Sequence, residues 1–216
     1  MPTVYGASAS PFVRKVRVFL SEKGIPYELE PIFPFGAGPE FKKISPLGKI
    51  PAFRDGERTL ADSSVICSYI ERTHPTPPLY PSDPYEHARA LWFEEYADGG
   101  LVTVIGPKIF FQKFVAPRFF NRPTDEAMVS KAIDEELPPM FDYLEGELGQ
   151  NDYLVGRTFS IADIGVGTQF VQLRHCGVPV DRKRWPKLAA YLDRVYGRPS
   201  FKALIEEEVA QYGTAA

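Results

Sequence analysis

The sequence predicts a mixed α/β half followed by an all-helical half. Strand-like and helix-like segments alternate over the first third of the chain. A stretch with five prolines and almost no periodicity, His74–Pro84, then intervenes. Beyond it strand signals fade, and apolar residues recur at helical spacing. These three observations place domains at 1–74 and 85–216, with 75–84 as a linker.

The first half reads in order. Thr3–Tyr5 is a short strand, and Pro11–Lys23 is a helix with Phe12, Val13, Val16, Phe19 and Leu20 on one side. Pro11 suits the first helical position and Gly24 a C-terminal stop. Tyr27–Pro31 is a second strand, followed by a glycine- and proline-rich loop over 34–39. Glu40–Ile44 is a short helix. Ala52–Arg54 and Arg58–Leu60 flank Asp55-Gly56, a hairpin signal. Ser63–Arg72 is helical, with Val65, Ile66, Tyr69 and Ile70 facing inward. A β-α-β unit, a hairpin and a helix make a small mixed sheet with helices packed on it.

The second half reads as helices: Tyr85 to about Val115, Asp125–Leu148, Ser160–Cys176, Pro186–Tyr196 and Pro199–Gln211. Gly99-Gly100 and Pro107 should bend or break the first of these. Pro138-Pro139 should kink or split the second. Ser160 and Asp163 have the spacing of a capping box, and Phe159 and Ile164 that of a hydrophobic staple.

Composition narrows the function. The 216 residues carry a net charge of −3, and the basic residues form no long block. That argues against a nucleic-acid surface. No apolar run approaches a membrane span, and no charged-then-apolar leader opens the chain. Cys67 and Cys176 form no C-x-x-C pair, and His74, His87 and His175 are isolated. No disulfide framework or metal site is expected, and the cytoplasm is the expected setting.

Three stretches offer chemistry. Ser10 directly precedes Pro11 at a strand-to-helix turn. From spacing alone it is a helix cap, or a hydroxyl poised over a helix N-terminus to donate to an anion such as a thiolate. Ser8 and Tyr5 carry competing hydroxyls near the same turn. In Ser45-Pro46-Leu47-Gly48-Lys49-Ile50-Pro51, a cis Pro51 would leave the Ile50 N–H and C=O as an edge for an extended peptide. An ordinary trans loop proline is the other reading. Ala61-Asp62-Ser63-Ser64 leads into a helix, with Ser63 as a cap or as part of a carboxylate site.

Together these stretches are similar to those of the soluble glutathione transferase family, over nearly the whole chain. Tyr5-Gly6-Ala7-Ser8-Ala9-Ser10 resembles the Y-G-x-x-x-S opening of its phi class, and Ser10-Pro11-Phe12 the S-P-F of its tau class. Pro46-x-Gly48-Lys49-Ile50-Pro51 is similar to P-x-G-x-V-P, whose proline is cis. Asp62-Ser63 looks like the acidic-serine pair, and Ser160-Ile161-Ala162-Asp163 like S-x-A-D. The resemblance implies a thioredoxin-like N-terminal domain that binds glutathione as co-substrate and an all-α C-terminal domain.

It further implies roles. Ser10 would donate to the glutathione sulfur, Ile50 beside Pro51 would pair with the cysteinyl backbone, and Asp62 and Ser63 would hold the γ-glutamyl end. Lys49 would approach the glycyl carboxylate or the γ-glutamyl group. A small hydrophobic electrophile would lie between the domains, with Phe12, Phe35, Tyr96, Phe110, Phe111 and Phe114 as wall candidates and Leu101 beside them. Aromatic residues at helical spacing are equally core residues. A homodimer is implied, with Asp98 a candidate to reach the partner's glutathione. Two departures stand out. The loop Phe35-Gly36-Ala37-Gly38-Pro39 lacks the phi-class His-Lys pair, which leaves Lys42 or Lys43 as substitutes. Asp62 is shorter than the commoner Glu.

Overall fold

A computed structural model describes residues 1–33, 35 and 38–213. The chain forms two compact units, Met1–Tyr80 and Pro81–Ala216. In the first, four strands order as β2-β1-β3-β4: β1 (Thr3–Tyr5), β2 (Glu28–Glu30), β3 (Ala52–Asp55) and β4 (Arg58–Ala61). β1 runs parallel to β2 and antiparallel to β3, with Tyr5 opposite both Glu30 and Ala52. The parallel pair exists because α1 (Pro11–Glu22) supplies the crossover. Asp55 pairs with Arg58 across the hairpin, where Gly56 takes φ 60°. Helices α2 (Pro39–Ile44) and α3 (Ser63–Thr73) complete the unit.

α1 begins as the sequence dictates. Ser10 sits at ψ 131° and Pro11 takes the first turn. The helix ends at Gly24, φ 66°, where Ile25 N–H reaches back to Leu20 O at 2.9 Å. Val13, Val16, Phe19 and Leu20 are buried as expected, and Phe12 is half-buried. The helix hides more than one face, because Arg14 and Lys15 are fully buried too. On α3, Ile66 and Ile70 are buried and Tyr69 is half-buried. Val65 departs from the expected inward face and is 50% exposed.

The second unit is helical: α4 (Pro84–Glu95), α5 (Val102–Val104), α6 (Ala116–Phe120), α7 (Glu126–Lys131), α8 (Leu137–Leu148), α9 (Ile161–His175), α10 (Pro186–Gly197) and α11 (Pro199–Tyr212). At Gly99-Gly100 and Pro107, where the sequence predicts a bend or a break, the chain does not break. Wide π-helical turns at Tyr96–Leu101 and Ile105–Val115 carry the chain onward instead. A π turn takes residues out of the i→i−4 ladder, so a proline without an N–H is tolerated there. A third π stretch, Ala132–Glu136, precedes Pro138-Pro139, which fall in the first turn of α8. The α-helical ladder is thus interrupted by a π stretch and not by a gap in the chain's helical course, as at the two earlier sites.

α9 is the hub. Every residue from Ile161 to Leu173 is buried. A Cβ on Gly167 would lie 2.8 Å from Val195 and 2.9 Å from Phe201, so only glycine lets α10 and α11 approach this closely. The capping box forms: Asp163 Oδ2 accepts from Ser160 N–H at 2.9 Å and from its hydroxyl at 3.3 Å. Asp163 Oδ1 also accepts from Leu154 N–H at 3.0 Å. Burial pushes this carboxyl up to about 6 even against those bonds. His175 Nε2 and Glu208 Oε2 meet at 2.6 Å, tying α9 to α11.

Candidate active site

The site is built on the ends of β1 and β3 and the starts of α1 and α3. Gly6 follows β1 and brings these parts together. A Cβ there would lie 2.4 Å from Val13 of α1 and 3.2 Å from Ile50. Glycine at this point draws the Ser10 helix and the Ile50 segment onto one strand end.

Ser10 is held through its backbone. Its N–H donates to Ala7 O at 3.0 Å, and its C=O accepts from Arg14 N–H at 2.9 Å. Its hydroxyl accepts from Val13 N–H at 3.5 Å, a long contact. The two competing hydroxyls are more enclosed. Ser8 is 4% exposed and Tyr5 3%, whereas Ser10 is half-buried. Burial raises the Tyr5 phenol above its usual range, opposed by Arg54, whose guanidinium lies 5.4 Å from the ring centroid.

The Ile50–Pro51 peptide is cis. Ile50 lies outside β3, and its backbone has no hydrogen-bond partner among the described residues. The turn before it is held by Ser45, fully buried, whose hydroxyl donates to Lys49 O at 2.7 Å. Gly48 closes that turn at φ 66°, with its N–H on Ser45 O at 2.8 Å. The Lys49 side chain is exposed.

At α3 the cap is Asp62, not Ser63. Asp62 Oδ1 accepts from Ser64 N–H at 2.9 Å and Val65 N–H at 3.2 Å. Ser63 is the first helical residue and is 4% exposed. The aspartate reaches the N2 and N3 amides, which a serine one residue later cannot do. Asp62 holds φ 78°, unusual for a non-glycine residue and a common mark of functional turns. One carboxylate oxygen, Oδ1, makes both capping contacts.

The aromatic candidates are divided between the two units. Phe12 and Phe35 belong to the first unit, and Phe35 is 49% exposed and edge-on to Phe33. In the second unit Phe114 is a core residue, 1% exposed, stacked on Phe110 at 4.6 Å and flanked by His175 and Tyr212. Phe111 is half-buried against Phe120, and Leu101 is fully buried. Tyr96 donates to Met140 O at 3.2 Å, and burial pushes its phenol up to about 12. Asp98 is half-buried in the first π stretch. Of the departing loop, Pro34, Gly36 and Ala37 lie outside the described residues. Lys43 is paired with Glu40 at 2.7 Å, and Lys42 is exposed. Both cysteines are buried, and burial pushes the Cys176 thiol up to about 12.

Sequence reasoning missed Gly6, Ser45 and the Asp62 cap. Only the cap had a readable signal, an aspartate two residues before Ser64.

The first unit is thus a thioredoxin-like sheet that presents a helix-capping serine, a cis-proline turn and an acidic helix start. Residues 4–78 match the glutathione S-transferase N-terminal domain and residues 127–194 its C-terminal domain. The chain belongs to the glutathione S-transferase family. A glutathione S-transferase of Arabidopsis thaliana is 31% identical over 208 residues, 92% of each chain. A solved glutathione transferase of Populus trichocarpa superposes with TM-score 0.84 at 28% identity, covering 95% of this chain and 98% of that one. A glutathione S-transferase solved with lactoylglutathione superposes with TM-score 0.85 at 26% identity, over the same shares. No helix among the described residues is long and apolar enough to cross a membrane.

Proposed function

We propose that the protein conjugates glutathione to small hydrophobic electrophiles, with Ser10 donating a hydrogen bond to the glutathione sulfur. The observation that carries this is the Ser10 hydroxyl: half-open, weakly engaged at 3.5 Å, and set at the N-terminus of α1. A free thiol titrates near about 8.5, so only a few per cent is thiolate at neutral pH. Lowering that value by about two units takes about 2.7 kcal/mol of differential stabilisation. A charge-assisted hydrogen bond and the positive end of a helix supply most of it. The thiol proton leaves to solvent. The sulfur lone pair then forms a bond to carbon, and a leaving group departs with its electron pair or a π bond accepts it. Ser10 is a donor to an anion throughout, not a nucleophile.

The rest of the tripeptide follows the same unit. The unpaired Ile50 backbone takes the cysteinyl main chain as an added strand. Asp62 and Ser63 at the α3 start take the γ-glutamyl ammonium and carboxylate. Lys49 reaches a carboxylate. The protein works as a homodimer in the cytoplasm; supporting the dimer, Val65 on α3 and Tyr85, Leu91 and Trp92 on α4 are left exposed. Sedimentation showing only monomer at micromolar concentration would remove the dimer.

The test is a glutathione titration followed by thiolate absorbance across pH. Saturable binding with the bound thiol shifted down by about two units is expected. Absence of binding at millimolar glutathione would overturn the reading. A panel of aryl halide, peroxide and disulfide substrates then separates conjugation from other glutathione chemistry.

A further inference from the structure

Lysine is among the residues least often fully buried. Lys15, on the second turn of α1, is 0% exposed, and its Nζ donates to Ser64 Oγ at 2.9 Å. Ser64 stands in the first turn of α3, and its own N–H donates to Asp62 Oδ1 at 2.9 Å. Ser64 is therefore held from two directions, by Asp62 at its amide and by Lys15 at its hydroxyl. Lys15 and Ser64 lie 49 residues apart in the chain, so this tie is tertiary, not local.

The α3 start has reason to need a second anchor. Asp62 enters the helix at φ 78°, a conformation that persists only where the surroundings over-determine it. α1 also carries Ser10 at its start. A rod-like tripeptide held at its sulfur by α1 and at its γ-glutamyl head by α3 binds well only if the two helix starts keep a fixed separation. Preorganising that separation is worth affinity without any new contact to the ligand.

We propose that Lys15 is a positioning residue for the γ-glutamyl subsite, acting through Ser64 to fix the first turn of α3 relative to α1. Lys15 touches no substrate. It sets the direction in which Asp62 and Ser63 face glutathione. This inference rests on the glutathione reading above and adds to it a residue that the sequence motifs pass over.

The test is a double-mutant cycle on glutathione affinity, with turnover measured at saturating glutathione. Lys15→Met and Ser64→Ala are each expected to raise the glutathione Kd about tenfold, the loss of one charge-assisted hydrogen bond. The double variant is expected to lose clearly less than the product of the two single losses, because both changes break the Lys15–Ser64 tie. Turnover at saturation is expected to stay within about twofold, since the sulfur's donor is untouched. Lys15→Arg, which keeps a donor, is expected to recover most of the affinity. A double variant that loses the product of the two single effects would overturn the proposal. So would single variants that lower turnover and leave Kd unchanged, as a general loss of packing would do. If Lys15→Met fails to fold, Ser64→Ala decides the matter alone: it removes one hydroxyl, and an unchanged Kd sinks the idea. Wild-type protein that binds no glutathione refutes the function itself; wild-type protein that binds while the variants bind equally well refutes only the role of Lys15.

Discussion

Two serines begin two helices in this molecule, and they do opposite things. Ser160 starts α9 with its hydroxyl on Asp163 at 3.3 Å and its N–H on the same carboxylate at 2.9 Å. It is 2% exposed. Ser10 starts α1 with a hydroxyl that only accepts from Val13 N–H at 3.5 Å, and it is half-buried. The third helical residue makes the difference. After Ser160 it is an aspartate, which consumes the serine's donor. After Ser10 it is Val13, which offers no acceptor. One cap is closed and serves the fold, while the other keeps a spare O–H at a positive helix end, where an anion is stabilised.

The comparison can be broken hardest at Asp163. Asp163→Ala leaves the Ser160 and Leu154 amides buried without an acceptor, and should cost about 3 kcal/mol or more of stability. Denaturant titration reads that loss, and turnover per folded molecule should be unchanged. A loss of turnover without a loss of stability would mean that the closed cap also serves chemistry.

The same carboxyl sets a pH dependence. Burial raises it from 3.8 to about 6, so between those values the native state holds a proton that the unfolded chain has released. This group's contribution to stability is fullest below pH 4 and falls as pH rises to about 6, by roughly 3 kcal/mol at most. Asp163→Asn removes the titration. The stability of the wild type relative to that variant should therefore decline over this window, as measured by thermal melting at stepped pH.

At the open cap the effect should fall on chemistry. Ser10→Ala should lower turnover with an aryl halide about tenfold or more and raise the pKa of bound glutathione, while costing at most about 1 kcal/mol of stability. Equal turnover would move the donor's role to Ser8 or Tyr5. The smallest effect is expected from Ser160→Ala, about 1 kcal/mol of stability and no change in turnover, because Asp163 still caps through the Ser160 and Leu154 amides.

The two π-helical stretches around Gly99 and Pro107 carry a related lesson. Glycine pairs and prolines announce trouble for an α-helix, and the sequence shows that trouble plainly. Whether the chain breaks or widens is decided by what packs around it, and here it widens. Val65 teaches the same for a helix face: its spacing is that of a core residue, yet it is half exposed.

The sequence by itself determined the element order of the first half, the sheet-then-helices architecture, the start of α1 at Ser10-Pro11 and the capping box at Ser160. Each follows from local rules: period, turn residues and caps act within a few residues. It also carried the motifs through which Ser10, Ile50 and Asp62 could be named as candidates. Tertiary structure alone decided the rest. It chose Asp62 over Ser63 as the cap of α3: both residue types can cap and both are legible in the sequence, and the backbone angle of 78° at Asp62 decided between them. It buried Phe114 in the helical core, and it joined Lys15 to Ser64 across 49 residues. The physical reason is range: caps and periods are settled between neighbours in the chain, whereas burial and long-range hydrogen bonds are settled between neighbours in space.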